Sequence, residues 1–189
     1  ATSQPRALLV LEDGTTFEGR CCGASGETFG EIVFNTSMTG YQEIISDPSY
    51  AGQIVTLTYP QVGNYGIDPA VMQRDVLHLR GFVVHDMCYE PSNWTSKQSL
   101  PEFLQENGVV ASEGIDTRAL TMHLRDHGAQ KAAISTEDLD PAHLLARVQA
   151  SPNISEHNYV PDVSVDAPHV VPATSKKRFN VVAYDCGEK

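Results

Sequence analysis

The sequence predicts a domain of the α/β class, with strands first and helices mainly in the second half. Short apolar runs rich in β-branched residues alternate with turn-forming residues up to residue 85, which is typical of strands. Helix-capping patterns appear from residue 99 onward. The length of 189 residues suffices for one ordinary domain with a core and is short for two.

Composition excludes several classes of partner. The formal net charge is −11, so the chain as a whole should repel a phosphate backbone, and we expect no nucleic acid partner. No apolar run approaches the ~20 residues needed to cross a bilayer, so no membrane association is expected. The four cysteines lack metal-type spacing, which indicates reduced thiols and a cytoplasmic location.

The first elements form a predicted β-hairpin. The strand-like residues 7–11 and 15–19 flank Asp13-Gly14, and such a pair between two strands is a strong hairpin signal. Three glycines then predict a flexible connection into the next stretch, namely Gly23, Gly26 and Gly30.

The central stretch, residues 31–50, combines a strand with two polar loops. Residues 32–34 read as a buried strand that leads into small polar residues around Gly40. Residues 47–50 form a second predicted turn, and residues 54–59 form another strand. We therefore expect both loops at one end of a sheet, where a binding site could lie. The alternative is that they are only turns, with Gly40 and Pro48 serving backbone geometry.

The remaining elements follow in order. Residues 63–66 form a turn-rich loop, and residues 81–85 form a strand. Ser99 and Glu102 match a capping box at the start of a helix that ends near Gly108. Further elements are predicted as a strand at 109–111, a helix at 116–128, a strand at 132–134 and a helix starting at 140 and ending before Pro152.

The amino-acid composition of the chain changes after residue 150. Residues 151–178 contain four prolines in a polar stretch and are predicted to be a linker between a domain at 1–150 and the following segment. Residues 179–184 then read as a new strand without partner elements. We expect residues 179–189 to begin a further domain.

Two motifs have both catalytic and structural interpretations. Residues 19–23 match G-x-C-x-G, the pattern of a nucleophile elbow around Cys21, but no helical pattern follows, so a turn cysteine is favoured. His123 and His127 are spaced like a metal-binding pair on one helix, yet a solvated helix end is the preferred interpretation. The sequence contains no Gly-rich phosphate loop.

A family resemblance rests on seven segments of the chain. These segments are residues 8–14, 30–43, 47–50, 53–60, 63–64, 115–120 and 181–185. They closely resemble the N-terminal part of the glutaminase small subunit of carbamoyl-phosphate synthetase. Residues 67–80 and the linker lack a firm family pattern.

The resemblance implies a three-layer β/β/α domain of the swivelling type, joined to a class I glutamine amidotransferase domain. It implies a ligase complex in which glutamine is hydrolysed and the ammonia passes to a large subunit. That subunit uses ATP, Mg²⁺ and bicarbonate to make carbamoyl phosphate for arginine or pyrimidine biosynthesis. The catalytic Cys and His of that family have no counterpart in this sequence, so this chain alone should hydrolyse no glutamine.

The resemblance also implies site residues. Ser49 should hydrogen-bond glutamine beside the glutaminase domain, and a hydroxyl on a Pro-fixed turn is a suitable donor to a carboxylate. Ser37, Met38 and Thr39 should border the ammonia exit or the large-subunit contact. No metal or cofactor is expected on this domain. A module that only docks to a partner, and a thiol enzyme using Cys21, are the competing hypotheses.

Overall fold

The computed structural model describes residues 4–74 and 76–187, so the ends of the predicted 1–150 and 179–189 segments lie outside the described residues. The strands are Arg6–Leu11 (β1), Thr16–Cys21 (β2), Glu27–Asn35 (β3), Gln53–Leu57 (β4), Gln61–Val62 (β5), Gly81–Val83 (β6), Asp86–Met87 (β7), Val110–Glu113 (β8) and Gln130–Ser135 (β9). The α-helices are Tyr41–Ser46 (α1), Leu100–Glu106 (α2), Thr117–His127 (α3), Pro141–Ala150 (α4) and Val160–Val163 (α5).

Most of the described strands close into a barrel in the order β1-β2-β8-β6-β4-β3-β9. The run from β3 through β4 and β6 to β8 is parallel, and the remaining pairs are antiparallel. β5 and β7 form a separate parallel pair. The predicted mixed sheet is therefore confirmed.

The period-two alternation of strand side chains separates the barrel interior from its outer face. Ile54 and Val83 belong to one buried cluster with side chains from β1, β3, β8 and β9, and this cluster fills the interior. Leu120 and Leu124 of α3 belong to the same cluster, so α3 packs against these strand residues. Because strands face each other across this cluster, the barrel supplies two strand layers.

The remaining helices cover the outside of the barrel. Val55 and Phe82, which alternate with the interior residues, pack with α1 and α2 in a second buried cluster. Leu144 and Val148 of α4 pack on Leu8 and Val10 of β1 in a third. This arrangement of strand layers and outer helices agrees with the predicted β/β/α architecture, and the helices do lie mainly in the second half of the chain.

The hairpin and the second-half helices match their predictions closely. β1 and β2 pair antiparallel around Asp13-Gly14. The Ser99–Glu102 capping box is present at the start of α2, and Asp116 caps α3. These elements depend on contacts between residues a few positions apart, which the sequence pattern contains.

Two expectations about the central stretch are wrong. Gly30 lies within β3 and not in a flexible connection. An added Cβ at this position would lie 2.6 Å from the Gly52 carbonyl oxygen, so only glycine fits there. The two polar loops also do not share one end of the sheet. β3 and β4 are parallel, so the loop after β3 lies at the C-terminal end of these two strands and the turn before β4 lies at their N-terminal end, with α1 between them.

The segment after residue 150 also differs from its prediction. Single helical turns occur at Ile154–Glu156 and in α5, within the predicted linker. Residues 179–184 form no strand, and Phe179 and Tyr184 are largely exposed. A strand requires a hydrogen-bonded neighbour, and none of the described strands pairs with this segment.

Candidate functional site

The loop after β3, residues 36–40, carries three of the predicted site residues and is held by Asn35. The Asn35 Oδ1 atom accepts a hydrogen bond of 2.8 Å from the Ser37 N–H. The Asn35 Nδ2 atom donates to the Tyr50 hydroxyl at 2.8 Å. Tyr50 follows Ser49 in the chain, so one amide side chain links the loop to the turn that carries Ser49.

The same loop is fixed at its other end by Tyr65. Gly40 adopts a left-handed conformation with φ of 84° immediately before α1, and no side chain of its own caps that helix. The Tyr65 hydroxyl accepts from the backbone N–H groups of Gly40 and Tyr41 at 2.9 and 3.0 Å. The rings of Tyr41 and Tyr65 stack with centroids 4.1 Å apart. Tyr65 therefore replaces the missing helix cap.

A cavity of about 200 Å³ lies beside this loop. Ser37, Met38 and Thr39 line it on one side, and Leu57, Tyr59 and Val62 contribute to the rest. All three loop residues are exposed, and the Met38 side chain is 75% exposed. The structure thus brings these three predicted residues together at a cavity with a mixed polar and apolar lining.

Ser49 lies outside that cavity, in a single 3₁₀ turn at Pro48–Tyr50. The Asp47 carboxylate accepts the Ser49 N–H at 2.8 Å, as expected for an Asp that caps a turn. Ser49 is exposed, and its hydroxyl forms no hydrogen bond within the described residues. The hydroxyl is therefore free to bind a molecule from outside the domain.

Cys21 occupies the end of β2, and no helix follows it. It is 6% exposed, and its thiol lies 3.4 Å from the Gly23 carbonyl oxygen. Burial, and then the Glu113 carboxylate, raise the pKa of the neighbouring Cys22 thiol well above its ordinary value. This geometry confirms the turn-cysteine interpretation and does not resemble a nucleophile elbow.

His123 is not a solvated helix end, contrary to the preferred interpretation. Its Nε2 lies 2.5 Å from Asp13 Oδ2, which joins α3 to the first hairpin turn. Burial by itself raises the Asp13 pKa, but hydrogen bonds from Thr15, His123 and Gln130 outweigh it and hold that pKa well below its ordinary value. His127 is exposed and stacks on His123. No group of three potential metal ligands occurs in the described part of the chain.

Tyr65 and Asn35 escaped sequence-based prediction as organisers of the site. Both stand in segments whose composition indicates turns, and a turn pattern does not reveal a side-chain partner 15 or 25 residues away. Arg74 also went unrecognised, although its guanidinium binds both carboxylate oxygens of Asp185 at 2.8 and 3.0 Å.

Within residues 4–74 and 76–187, no helix is long and apolar enough to span a membrane.

Comparison with known proteins identifies the family. A family model described as carbamoyl-phosphate synthase small chain, CPSase domain, matches residues 9–134. A carbamoyl phosphate synthase small chain from Syntrophotalea carbinolica is 46% identical over 97% of this chain and 52% of its own length. The protein of the same name from Thermotoga maritima is 49% identical over 97% of this chain and 46% of its own.

A third protein of that name, from Nitratidesulfovibrio vulgaris, is 53% identical over 87% of this chain and 44% of its own length. A solved subtilisin-like protease from Pseudoalteromonas sp. AS-11 aligns with a TM-score of 0.37 and 10% identity over 88% of this chain and 45% of its own, too low to indicate a common fold. The chain spans about half the length of the curated relatives it matches. The chain belongs to the carbamoyl-phosphate synthase small chain family, and residues 9–134 are its CPSase domain.

Proposed function

We propose that this domain works within the glutamine-hydrolysing small chain of carbamoyl-phosphate synthase. There it contributes to glutamine binding and docks to a large chain, which uses ATP, Mg²⁺, bicarbonate and the released ammonia to make carbamoyl phosphate. The single observation that carries the proposal is the family match over residues 9–134. No cofactor is assigned to this domain, and the product would feed arginine or pyrimidine biosynthesis.

The hydrolytic step is assigned to a class I glutaminase domain beside this one. Among the described residues no cysteine thiol is hydrogen-bonded to a histidine, the pairing that activates a thiol nucleophile. The cysteines are free thiols, which supports a reducing and hence cytoplasmic location for the complex.

Ser49 is the residue we assign to glutamine. Its exposed hydroxyl on a capped turn can donate to a carboxylate or accept from an ammonium group of the substrate. A hydrogen bond to a charged group contributes about 1.5–3 kcal/mol, which corresponds to roughly a tenfold or larger change in affinity. This contact would supplement the groups of the glutaminase domain and would not perform the chemistry.

Ser37, Met38 and Thr39 are assigned to the ammonia exit or to the contact with the large chain. Their cavity of about 200 Å³ is large enough for ammonia, and the exposed Met38 is suited to an interface. Because β3 and β4 pair in parallel, this loop and the turn of Ser49 lie at opposite ends of the two strands. Substrate binding and product exit would thus lie at opposite ends of α1.

The test is the kinetic effect of Ser49→Ala in the assembled enzyme. We expect KM for glutamine to rise about tenfold with a smaller fall in kcat, because a ground-state contact is lost. Synthesis from added ammonia should be unchanged, and Ser25→Ala, at an exposed serine of the β2–β3 connection, serves as a matched control.

The competing hypothesis is a docking module that never touches substrate. It predicts a wild-type KM for Ser49→Ala together with weaker assembly with the large chain. That result would remove the substrate-binding part of the proposal and leave the docking part.

A further inference from the structure

A cavity of about 110 Å³, separate from the one beside the 36–40 loop, lies next to β3 where β4 begins. Glu31 and Gln53 are the first partners of this parallel pair, so Phe29 and Gly30 of β3 extend past the start of β4. The rest of the lining includes Tyr159 and other residues of the segment that follows α4. The cavity thus lies between the barrel and that segment. We call it the β3 cavity.

Two glycines leave the space in which the β3 cavity lies. A Cβ added at Gly30 would lie 2.6 Å from the Gly52 carbonyl oxygen and 3.2 Å from the Arg80 Cβ. A Cβ added at Gly52 would overlap the Tyr159 ring. The aliphatic part of Arg80 therefore lies on Gly30, and the Tyr159 ring lies on Gly52. Both side chains are packed directly against glycine backbone at the edge of the cavity.

Arg80 brings a guanidinium with unused donors to the β3 cavity. Its backbone is fixed, because its N–H donates to the Gln53 carbonyl at 2.7 Å and its carbonyl accepts from the Thr28 hydroxyl at 2.7 Å. No carboxylate of the described residues forms an ion pair with this guanidinium. A guanidinium has five N–H donors in a planar fork that matches a carboxylate. Arg80 can therefore bind a carboxylate from outside the domain.

Glu31 brings the opposite charge to the β3 cavity. The Gln53 Nε2 atom donates to Glu31 Oε2 at 2.9 Å, which holds the carboxylate in place. A carboxylate can accept several hydrogen bonds, so Glu31 keeps free acceptor capacity. In the part of the chain that the structure describes, Glu31 has no ion-pair partner. The histidine of the lining, His157, is already paired with Asp162 at 2.8 Å.

Charge and volume together define the class of ligand. Glu31 would repel a simple anion, and Arg80 would repel a simple cation. An α-amino acid carries an ammonium and a carboxylate on the same carbon, so it offers a partner to each side chain. A volume of about 110 Å³ is well below the roughly 300–1,000 Å³ of pockets for drug-sized ligands, which excludes a nucleotide.

We propose that the β3 cavity binds a free α-amino acid as its zwitterion, with the carboxylate on Arg80 and the ammonium on Glu31. The site is distinct from the one assigned to Ser49, which does not line this cavity. The inference goes beyond the proposed function and does not rest on it, because it concerns binding by this chain without the large chain.

The experiment titrates the ¹⁵N-labelled chain with glycine and follows the backbone amides of Gly30 and Gly52. Both amides should shift, with a Kd in the millimolar range that is ordinary for so small a ligand. N-acetylglycine lacks the ammonium and glycinamide lacks the carboxylate. Each should bind roughly tenfold more weakly than glycine or worse, because one hydrogen-bonded charge pair is lost.

Two variants assign each charge of the ligand to its side chain. Arg80→Gln should raise Kd for glycine by roughly tenfold or more and leave Kd for glycinamide unchanged. Glu31→Gln should raise Kd for glycine by a similar factor and leave Kd for N-acetylglycine unchanged. Arg118→Gln is the matched control, since Arg118 is an exposed arginine of α3 that does not line the cavity. If a variant fails to fold, the three ligands on the wild-type chain still decide the question.

Three results would overturn the inference. They are no shift of either amide up to about 100 mM glycine, binding of acetate as tight as that of glycine, and a wild-type Kd for glycine in both variants. L-Glutamine and L-alanine distinguish the sources of the ligand. Tighter binding of L-glutamine would identify glutamine, and equal binding of all three amino acids would identify a site for the shared α-amino acid group. The proposed function is tested separately, by the kinetics of Ser49→Ala in the assembled enzyme.

Discussion

Replacing Tyr65 with phenylalanine tests whether one hydroxyl supports the loop that carries Ser37, Met38 and Thr39. The substitution keeps the ring, and hence the stack on Tyr41, but it removes the acceptor of two backbone N–H groups at 2.9 and 3.0 Å. Each unsatisfied donor costs about 1–3 kcal/mol, and partial access of water favours the lower value. We therefore expect a loss of about 2 kcal/mol in the free energy of unfolding.

For a domain of this size, such a loss lowers Tm by roughly 4–8 °C. The local signature is sharper, because amide hydrogen exchange at Gly40 and Tyr41 should accelerate more than exchange within β4. Tyr184→Phe is the control, since that side chain is 95% exposed. Unchanged Tm and unchanged exchange at both amides would show that the hydroxyl does not hold the loop.

Two further predictions concern contacts of the barrel with α4 and with the segment after residue 150. Arg147→Gln removes the paired hydrogen bonds to Glu27 at 3.0 and 2.5 Å, which lower the Glu27 pKa below its ordinary value of 4.5. The variant should have a lower free energy of unfolding than the wild type at pH 7, and this difference should shrink as the pH falls below 4.5 and Glu27 becomes protonated. Urea unfolding at several pH values measures it, and a difference that stays constant down to pH 3 would contradict the prediction. Gly52 has a φ of 81°, and the Cβ added by Gly52→Ala would lie 2.4 Å from Tyr159. Backbone strain alone should then lower the free energy of unfolding by about 1–2 kcal/mol. Strictly additive losses for Gly52→Ala and Tyr159→Ala would argue against the ring contact.

Local signals explain which elements the sequence predicts well. The first hairpin depends on Asp13-Gly14, and Gly14 adopts φ of 91° as such turns require. The start of α2 depends on Ser99 and Glu102, whose reciprocal hydrogen bonds of 2.8–3.4 Å form the capping box. These contacts join residues no more than three apart, so composition and spacing contain the necessary information.

Long-range pairing explains what the sequence does not predict. The barrel closes through β1 with β9 and β2 with β8, and the partners lie about a hundred residues apart along the chain. Apolar alternation identifies a strand but does not identify its neighbour or its direction. The sequence pattern does not reveal that β3 and β4 pair in parallel. Because of this pairing, the turn of Ser49 and the 36–40 loop lie at opposite ends of the two strands.

Polar side chains, more than the strands, determine the arrangement of the candidate site. Asn35 joins the 36–40 loop to Tyr50, and Tyr65 joins that loop to Asn93 beside Trp94. From sequence, these residues are counted as turn formers, since each lies in a polar stretch. In the structure they hold together segments 15 to 28 residues apart, so the loop beside the cavity and the loop at residues 92–97 have a common support. Loss of the Tyr65 hydroxyl should therefore loosen the cavity loop directly, whereas the loop at residues 92–97 keeps the hydrogen bond from Asn93 to the Tyr65 carbonyl.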